Sequence, residues 1–320
     1  MSAVTVVAHP NIALSKYWGK LDRPGNFPAV PSLSVTLEGM CTRTRVGFHG
    51  EPGADEVLLG GAPMVAGLEK VTRLLATVRA ASPGLGRAVI ETSNDFPTGS
   101  GLASSASGFA ALSLAAVRAA KLDWDVTRVS GLARAASASA ARSLFGGFVE
   151  LPLEAEGARP FAPASALPLT VLVCVATESA KKVASTDGMG RTSRESPYYP
   201  AWLAHAKVSH AELGEALLRG DFTRVGELAE RSALAMHASA LAAGVVYVKG
   251  VTLDALEAVW ALRARGVEAY ATMDAGPHVK VLVRPTDADR VRGFMAEVPG
   301  VLRVLTTRPG EGARVVEEAE

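Results

Sequence analysis

Cysteine is scarce: the 320-residue chain holds only Cys41 and Cys174. They lie far apart and fit no metal-ligand spacing, which argues against a zinc site and a disulfide framework; two reduced thiols are expected. A charge excess is also absent. The 33 basic and 32 acidic residues leave a formal net charge of +1. No basic stripe of the kind a duplex requires is present, so nucleic acid is not an expected partner. Long membrane-type apolar runs are missing. The uncharged stretch 160–177 is interrupted by Pro160, Pro163 and Pro168, and its apolar part is only strand-length, so no membrane contact is expected. The N-terminus shows no basic n-region and no sustained apolar h-region, which predicts no signal peptide and a cytoplasmic location. A Walker A loop is lacking too, because no Gly-Lys-Ser/Thr follows a glycine-rich turn.

What is present is the composition of a globular protein, with 48% hydrophobic and 20% charged residues, in a length that suits two domains. Strand-like runs at 4–8, 32–37, 42–48 and 87–93 alternate with turns and with a helical pattern over 68–81. Two more helical patterns cover 103–121 and 126–141. Residues 154–167, rich in Pro, Ala and Gly, mark the expected boundary between domains 1–160 and 161–320. Beyond it come strands at 169–176, 267–273, 278–283 and 302–307, and helices at 199–218, 222–242, 253–265 and 287–298. The charged tail from 311 is expected to fray. The pattern predicts an α+β protein of two packed α/β sandwich-like domains.

One segment carries chemistry on its face. In 94–111, NDFPTGSGLASSASGFAA, a strand runs into small residues and then into a long Ala- and Leu-rich helix. Small residues let backbone approach a ligand closely. The first turn of a helix offers unpaired N–H groups at its positive end, so phosphate binds there. A Gly/Ser turn that merely caps a helix has the same composition, and on chemistry alone both readings stand.

A resemblance separates them. The pattern Pro-x-x-x-Gly-Leu-x-Ser-Ser-Ala at 97–106 resembles the phosphate loop of the galactokinase, homoserine kinase, mevalonate kinase and phosphomevalonate kinase superfamily. Five further blocks resemble the diphosphomevalonate decarboxylase family within it. They are PNIA with KYWGK (10–20), SLSVTL (32–37), SASAARSLFGG (137–147), ASTDGM (184–189) and MDAGP (273–277). They follow family order over nearly the whole chain, and KYWGK and RSLFGG are far more specific than the loop. The resemblance implies a superfamily-type N-terminal domain and a ferredoxin-like C-terminal domain. It also implies ATP-dependent phosphorylation of a tertiary hydroxyl on mevalonate 5-diphosphate, followed by loss of phosphate and carbon dioxide. ATP and Mg²⁺ are the implied cofactors, and a homodimer the implied assembly.

It also implies roles for individual residues. Asp274 stands beside the tertiary hydroxyl, Lys16 orients that carboxylate, and Arg142 holds the substrate carboxylate, a task that suits a planar guanidinium. Asn11, Tyr17, Trp18, Gly19, Lys20, Lys70, Ser137, Ser139, Ser185 and Thr186 fall to the substrate. Trp18 is expected to act through packing, and Ser185 and Thr186 are expected on a turn. Asn94, Pro97, Gly99, Ser100, Gly101, Leu102, Ala103, Ser104 and Ser105 fall to ATP, with Ser105 also reaching Mg²⁺. Read singly, these residues are ordinary: Asp before a turn is a turn-former, and Lys or Arg is usually solvated surface. His278, where the family has Asn, is assigned no role, and neither is the turn at Arg23-Pro24-Gly25. The same scaffold would also serve a phosphomevalonate decarboxylase, a mevalonate 3-kinase or, more remotely, a non-enzymatic binding protein.

Overall fold

Strand β1 (Ala3–Ala8) and strand β4 (Thr42–Phe48) set the pattern of the first layer. In β4, Thr42, Thr44, Val46 and Phe48 are buried while Arg43 and Arg45 are exposed, the period of two expected where one face is covered. With β5 (Glu56–Leu59), β6 (Ala62–Pro63), β7 (Ala88–Asn94) and β14 (Arg314–Ala319), these strands form a sheet of order β14-β1-β4-β7-β5-β6. The structure, a computed structural model, describes residues 3–96, 104–179 and 182–319.

Three helices pack on this sheet as one core: α1 (Leu68–Ala81), α2 (Ser104–Ala119) and α3 (Val126–Ala136). Helix α1 turns Val71, Leu74, Leu75 and Val78 inward, the stripe its spacing predicts. Most of α2 is buried, and its Ala and Ser residues let its backbone lie close to β1 and β4.

A second sheet, β2 (Asn11–Ser15), β3 (Ser32–Thr36), β8 (Phe148–Leu151) and β9 (Arg159–Ala162), has the order β2-β3-β8-β9. Every residue of β2 and β3 is buried. Their Ile12, Leu14, Leu33 and Val35 share a core with Leu213, Leu217 and Leu228 of α5 (Tyr199–Leu218) and α6 (Phe222–Ala242). This sheet therefore joins the two halves of the chain.

The third sheet follows β10 (Thr170–Val175), β11 (Ala269–Met273), β12 (Val279–Val283) and β13 (Arg303–Thr307) in the order β11-β12-β10-β13, antiparallel throughout. Helices precede β11, and α8 (Ala288–Ala296) joins β12 to β13. That is the ferredoxin-like split βαβ arrangement. The fold is α+β with two domains, as expected. Among the described residues, no helix is long and apolar enough to cross a membrane.

Three local readings need correction. The helical pattern over 126–141 breaks: α3 stops at Ala136, Ser137 is extended, and Ala138–Leu144 forms a 3₁₀ helix. The tail does not fray, because its Arg314–Ala319 segment pairs with β1 as an edge strand. Ser185 and Thr186 lie not on a turn but in the first turn of helix α4 (Ser185–Glu195), where Asp187 complements the dipole. Gly188 in α4 approaches Trp18 and Tyr247 so closely that a Cβ would overlap the Tyr247 hydroxyl.

Candidate active site

Asp274 leaves the end of β11 in a tight turn, in which the Gly276 N–H donates to the Asp274 backbone carbonyl at 2.7 Å. Two lysines grip its carboxylate. Lys16 Nζ donates to Oδ1 at 2.8 Å and Lys280 Nζ lies 3.0 Å from Oδ2. Both lysines are buried, whereas the Asp274 side chain keeps 28% of its surface exposed. The carboxylate is therefore the part of this triad that a ligand can reach. Burial alone would raise the Asp274 pKa, but Lys16 and Lys280 outweigh it and hold the carboxyl well below the usual range. Lys16 moves the other way: burial pushes it down to about 8, with Asp274 resisting and with Lys280 and Arg142 adding repulsion. Behind the lysine, His237 is buried and held neutral, pushed down to about 4 by burial and by Lys16.

Arg142 comes from the 3₁₀ helix and is 2% exposed. Its Nε donates to Ser34 Oγ at 3.0 Å and Asn11 Oδ1 at 3.3 Å, and Nη1 donates to Ser32 Oγ at 2.8 Å. Asn11 is fixed in turn, its Nδ2 donating to Ser139 O at 2.9 Å and Ser143 Oγ at 2.8 Å. Among the described residues no carboxylate pairs with Arg142, and burial lowers its pKa to about 10 while Asp274 and Tyr17 pull it upward. The Tyr17 hydroxyl is buried with no hydrogen-bond partner among the described residues. Burial pushes this phenol up, against the pull of Arg142 and Arg134. A buried guanidinium without a counter-charge beside an orphaned hydroxyl is an arrangement that native proteins rarely leave unfilled. Both groups suit an anionic, hydrogen-bonding ligand.

A cationic flank lies beside them. Lys20 Nζ donates to Asn26 Oδ1 at 2.8 Å and to Thr186 Oγ1 at 3.0 Å. Burial and the nearby Lys70 lower its pKa, while Asp187 opposes them. Lys70 thus shares the field of Lys20. Ser137 Oγ and Ser139 Oγ lie 3.3 Å apart at the start of the 3₁₀ helix. Asn26 Nδ2 reaches back to Ala135 O at 2.7 Å, and Arg134 and Arg23 both stack on the Phe27 ring, their Cζ atoms 3.5 and 3.8 Å from its centroid. Gly19 has φ +115°, and a Cβ there would overlap the Tyr199 hydroxyl. Trp18 is core: its indole is 1% exposed and meets Tyr247 edge-on at 5.8 Å.

At the far side, Ser104 and Ser105 open α2. They border a cavity of about 140 Å³ whose walls include Val57, Met64, Ile90 and Phe109, with Thr42 and Asn94 at its polar edge. Thr42 Oγ1 donates to Asn94 Oδ1 at 2.6 Å and lies 2.6 Å from Ser107 Oγ. Pro97, Gly99, Ser100, Gly101, Leu102 and Ala103 lie outside the described residues. Among the described residues no group of three His, Cys, Asp or Glu side chains could hold a metal. A Mg²⁺ ion here would take its ligands from phosphate oxygens, water and a hydroxyl such as that of Ser105.

Lys280 was missed from sequence, although a lysine inside the run VKVLV signals a buried, paired charge. Ser32 and Ser34 were legible as a serine face of alternating β3 but gained a role only from Arg142. His278 is buried, and its Nδ1 accepts from Ala176 N–H at 3.0 Å.

Comparison with known proteins identifies the family. Residues 8–162 match the family described as diphosphomevalonate decarboxylase-like N-terminal domain, and 171–310 match the mevalonate 5-diphosphate decarboxylase C-terminal domain. A diphosphomevalonate decarboxylase of Candida albicans is 31% identical over 100% of this chain and 99% of its own. A phosphomevalonate decarboxylase of Haloferax volcanii is 32% identical over 99% and 98%. A solved structure of the protein called MDDEF, in complex with MVAPP, AMPPCP and magnesium, superposes with a TM-score of 0.91 at 35% identity, covering 99% of this chain and 100% of that one. The chain belongs to the diphosphomevalonate decarboxylase family.

Proposed function

We propose that the chain decarboxylates mevalonate 5-diphosphate at the expense of ATP, giving isopentenyl diphosphate, carbon dioxide, ADP and phosphate. The observation that carries this reading is Asp274 gripped by two buried lysines, with the unpaired Arg142 guanidinium in the same field. Arg142 takes the substrate carboxylate. Asp274 accepts a hydrogen bond from the tertiary hydroxyl. A carboxyl held so low is a weak base, but phosphoryl transfer through a loose transition state asks for little activation of the attacking oxygen. Asp274 receives the proton late and, held so acidic by its two lysines, passes it on to the transferred phosphate or to water; the restored carboxylate then faces the positive charge that develops at the tertiary carbon as phosphate leaves. Lys20, Lys70, Tyr17, Ser137, Ser139 and Thr186 hold the diphosphate. The cavity beside Ser104 and Ser105 takes the adenine, and Mg²⁺, when bound, offsets phosphate charge.

In this reading the 1–160 half handles nucleotide phosphates and the 161–320 half delivers Asp274, in a cytoplasmic homodimer whose mass sedimentation equilibrium measures. Asp274→Asn is expected to abolish carbon dioxide release while substrate still binds. A variant that keeps more than about a tenth of the rate sinks the assignment. Lys20 and Lys70 together favour a diphosphate. Faster carbon dioxide release from the monophosphate would make the chain a phosphomevalonate decarboxylase instead, and ADP release without carbon dioxide would make it a kinase.

A further inference from the structure

Ser15 ends β2 as a hydroxyl among buried neighbours, immediately before Lys16. The pairing of β2 with β3 slips between Ala13 and Ser15, and such an irregularity disrupts the ladder and re-aims the next side chains. Two contacts exploit the slip. Lys16 Nζ donates to Ala13 O at 2.8 Å, and Ser15 Oγ accepts the Leu33 N–H at 2.8 Å. The Glu150 carboxylate of β8 can only accept, so His210 Nε2 of α5 carries a hydrogen and donates to Glu150 Oε1 at 3.0 Å. In that Nε2–H tautomer Nδ1, on the other side of the ring, accepts the Ser15 hydroxyl at 2.9 Å. Glu150 Oε2 receives Arg159 Nε at 2.8 Å and Nη2 at 2.7 Å.

Every donor and acceptor of this chain is matched, and Ser15, His210 and Glu150 are all buried. Ser15 is 2% exposed and its oxygen already holds the Leu33 N–H, so the Ser-His-Glu sequence is not a nucleophile with its base. Its one outlet is mechanical. Beside the slip, the Lys16 N–H donates to Ser232 Oγ of α6 at 3.0 Å. The end of β2 is thus held by side chains of α5 and α6 as well as by its shifted pairing with β3.

We propose that Ser15, His210 and Glu150 form a buried positioning relay that fixes the slipped end of β2 and thereby aims the Lys16 ammonium at Asp274. The proposal rests on the roles given above to Lys16 and Asp274. Lys16 faces Asp274, Lys280, Arg142 and His237. Loosening the relay weakens the contact with Asp274, the one that holds the Lys16 proton against burial, so Lys16 loses its proton at lower pH.

Ser15→Ala in the full-length enzyme is the test, because it removes one oxygen and leaves the packing intact. The expected result is a fall in kcat of about tenfold, each KM within about twofold, and an alkaline limb of the kcat–pH profile displaced to lower pH. His210→Phe should do the same, and the double variant should lose little more than either single one, because members of one network are not additive. An unchanged kcat and alkaline limb in Ser15→Ala, whatever its melting temperature, overturns the proposal, as do additive losses in the double variant. Should His210→Phe fail to fold, Ser15→Ala decides alone. Lys16→Ala separates the two levels: if it keeps wild-type activity, the reading of the site fails; if it is inactive while Ser15→Ala is normal, only the relay fails.

Discussion

Replacing Lys280 with methionine nearly keeps the side-chain volume and deletes one of the two charges on Asp274. At an effective dielectric near 20, unit charges about 3 Å apart attract by about 5 kcal/mol. Little of this should appear as stability. Burying the ammonium costs several kcal/mol, and Lys280 also repels Lys16, which holds the other oxygen of the same carboxylate. Lys16 remains to neutralise Asp274 in the variant. Unfolding free energy should therefore change by no more than about 1 kcal/mol. Catalysis should suffer more, because one-sided support lets the carboxylate turn, and misplacement on the ångström scale costs roughly 10–100-fold in kcat. The signs of the pH shifts are fixed by the charges. Asp274 loses a cation that held its pKa down, so the acid limb moves to higher pH. Lys16 loses a repelling neighbour, so the alkaline limb also moves to higher pH. The assay is carbon dioxide release at saturating substrates across pH. A limb that stays in place or moves to lower pH would refute this account of the triad.

Gly108 lines the cavity at the start of α2, and a Cβ there meets nothing within 4 Å. Gly108→Leu should fold, fill the cavity and raise the KM for ATP about tenfold or more, while calorimetry finds mevalonate diphosphate affinity unchanged. Gly188→Ala pushes a methyl into the Tyr247 hydroxyl and Trp18. A loss of about 1–3 kcal/mol in denaturant unfolding is expected, with KM for ATP untouched. Arg142→Met removes a buried charge without a counter-ion, so the ligand-free variant should unfold no earlier than the parent. Saturating substrate at about 100 Kd stabilises the parent by about 2.7 kcal/mol, and that increment should vanish in the variant when both are melted with and without substrate.

The sequence disclosed the elements better than the site. Period-two alternation in β4 and the stripe of α1 are direct consequences of burial on one face, and both are readable without coordinates. The break at Ser137 is not. Ala and Ser continue past it with acceptable helical propensity, and only the demand that Arg142 reach Ser32 and Ser34 selects the tighter 3₁₀ turn. The start of α4 was masked for a similar reason, since Ser-Thr-Asp-Gly is turn composition and Gly188 is there for close packing, not for a bend. Lys16, Arg142 and Asp274 were named through resemblance; their separations in sequence contain no hint that they share one electrostatic field. Lys280 and the Ser15–His210–Glu150 relay escaped even that, because each looks like a lone polar residue until the β2–β3 slip and the β11–β12 pairing bring partners to it.

The charges of the site follow one logic. A protein with a net charge of only +1 gathers Lys16, Lys20, Lys70, Arg142 and Lys280 into one region and supplies Asp274 as the internal counter-charge. Asp274, with Asp187 near Lys20, does not neutralise all five. The ligand-free state therefore keeps Lys16 well below its ordinary pKa, Arg142 without an ion pair and the Tyr17 hydroxyl without a partner. Each of these costs stability, and each is relieved by an anion with its own carboxylate and phosphates. These three groups are ones that the proposed function places at the substrate site, whereas Glu230 in the C-terminal half is matched by Arg263, Trp260 and the Ala271 N–H. A buried ion network that serves stability closes on itself; this one is open on the side that the proposed reaction gives to the tertiary alcohol.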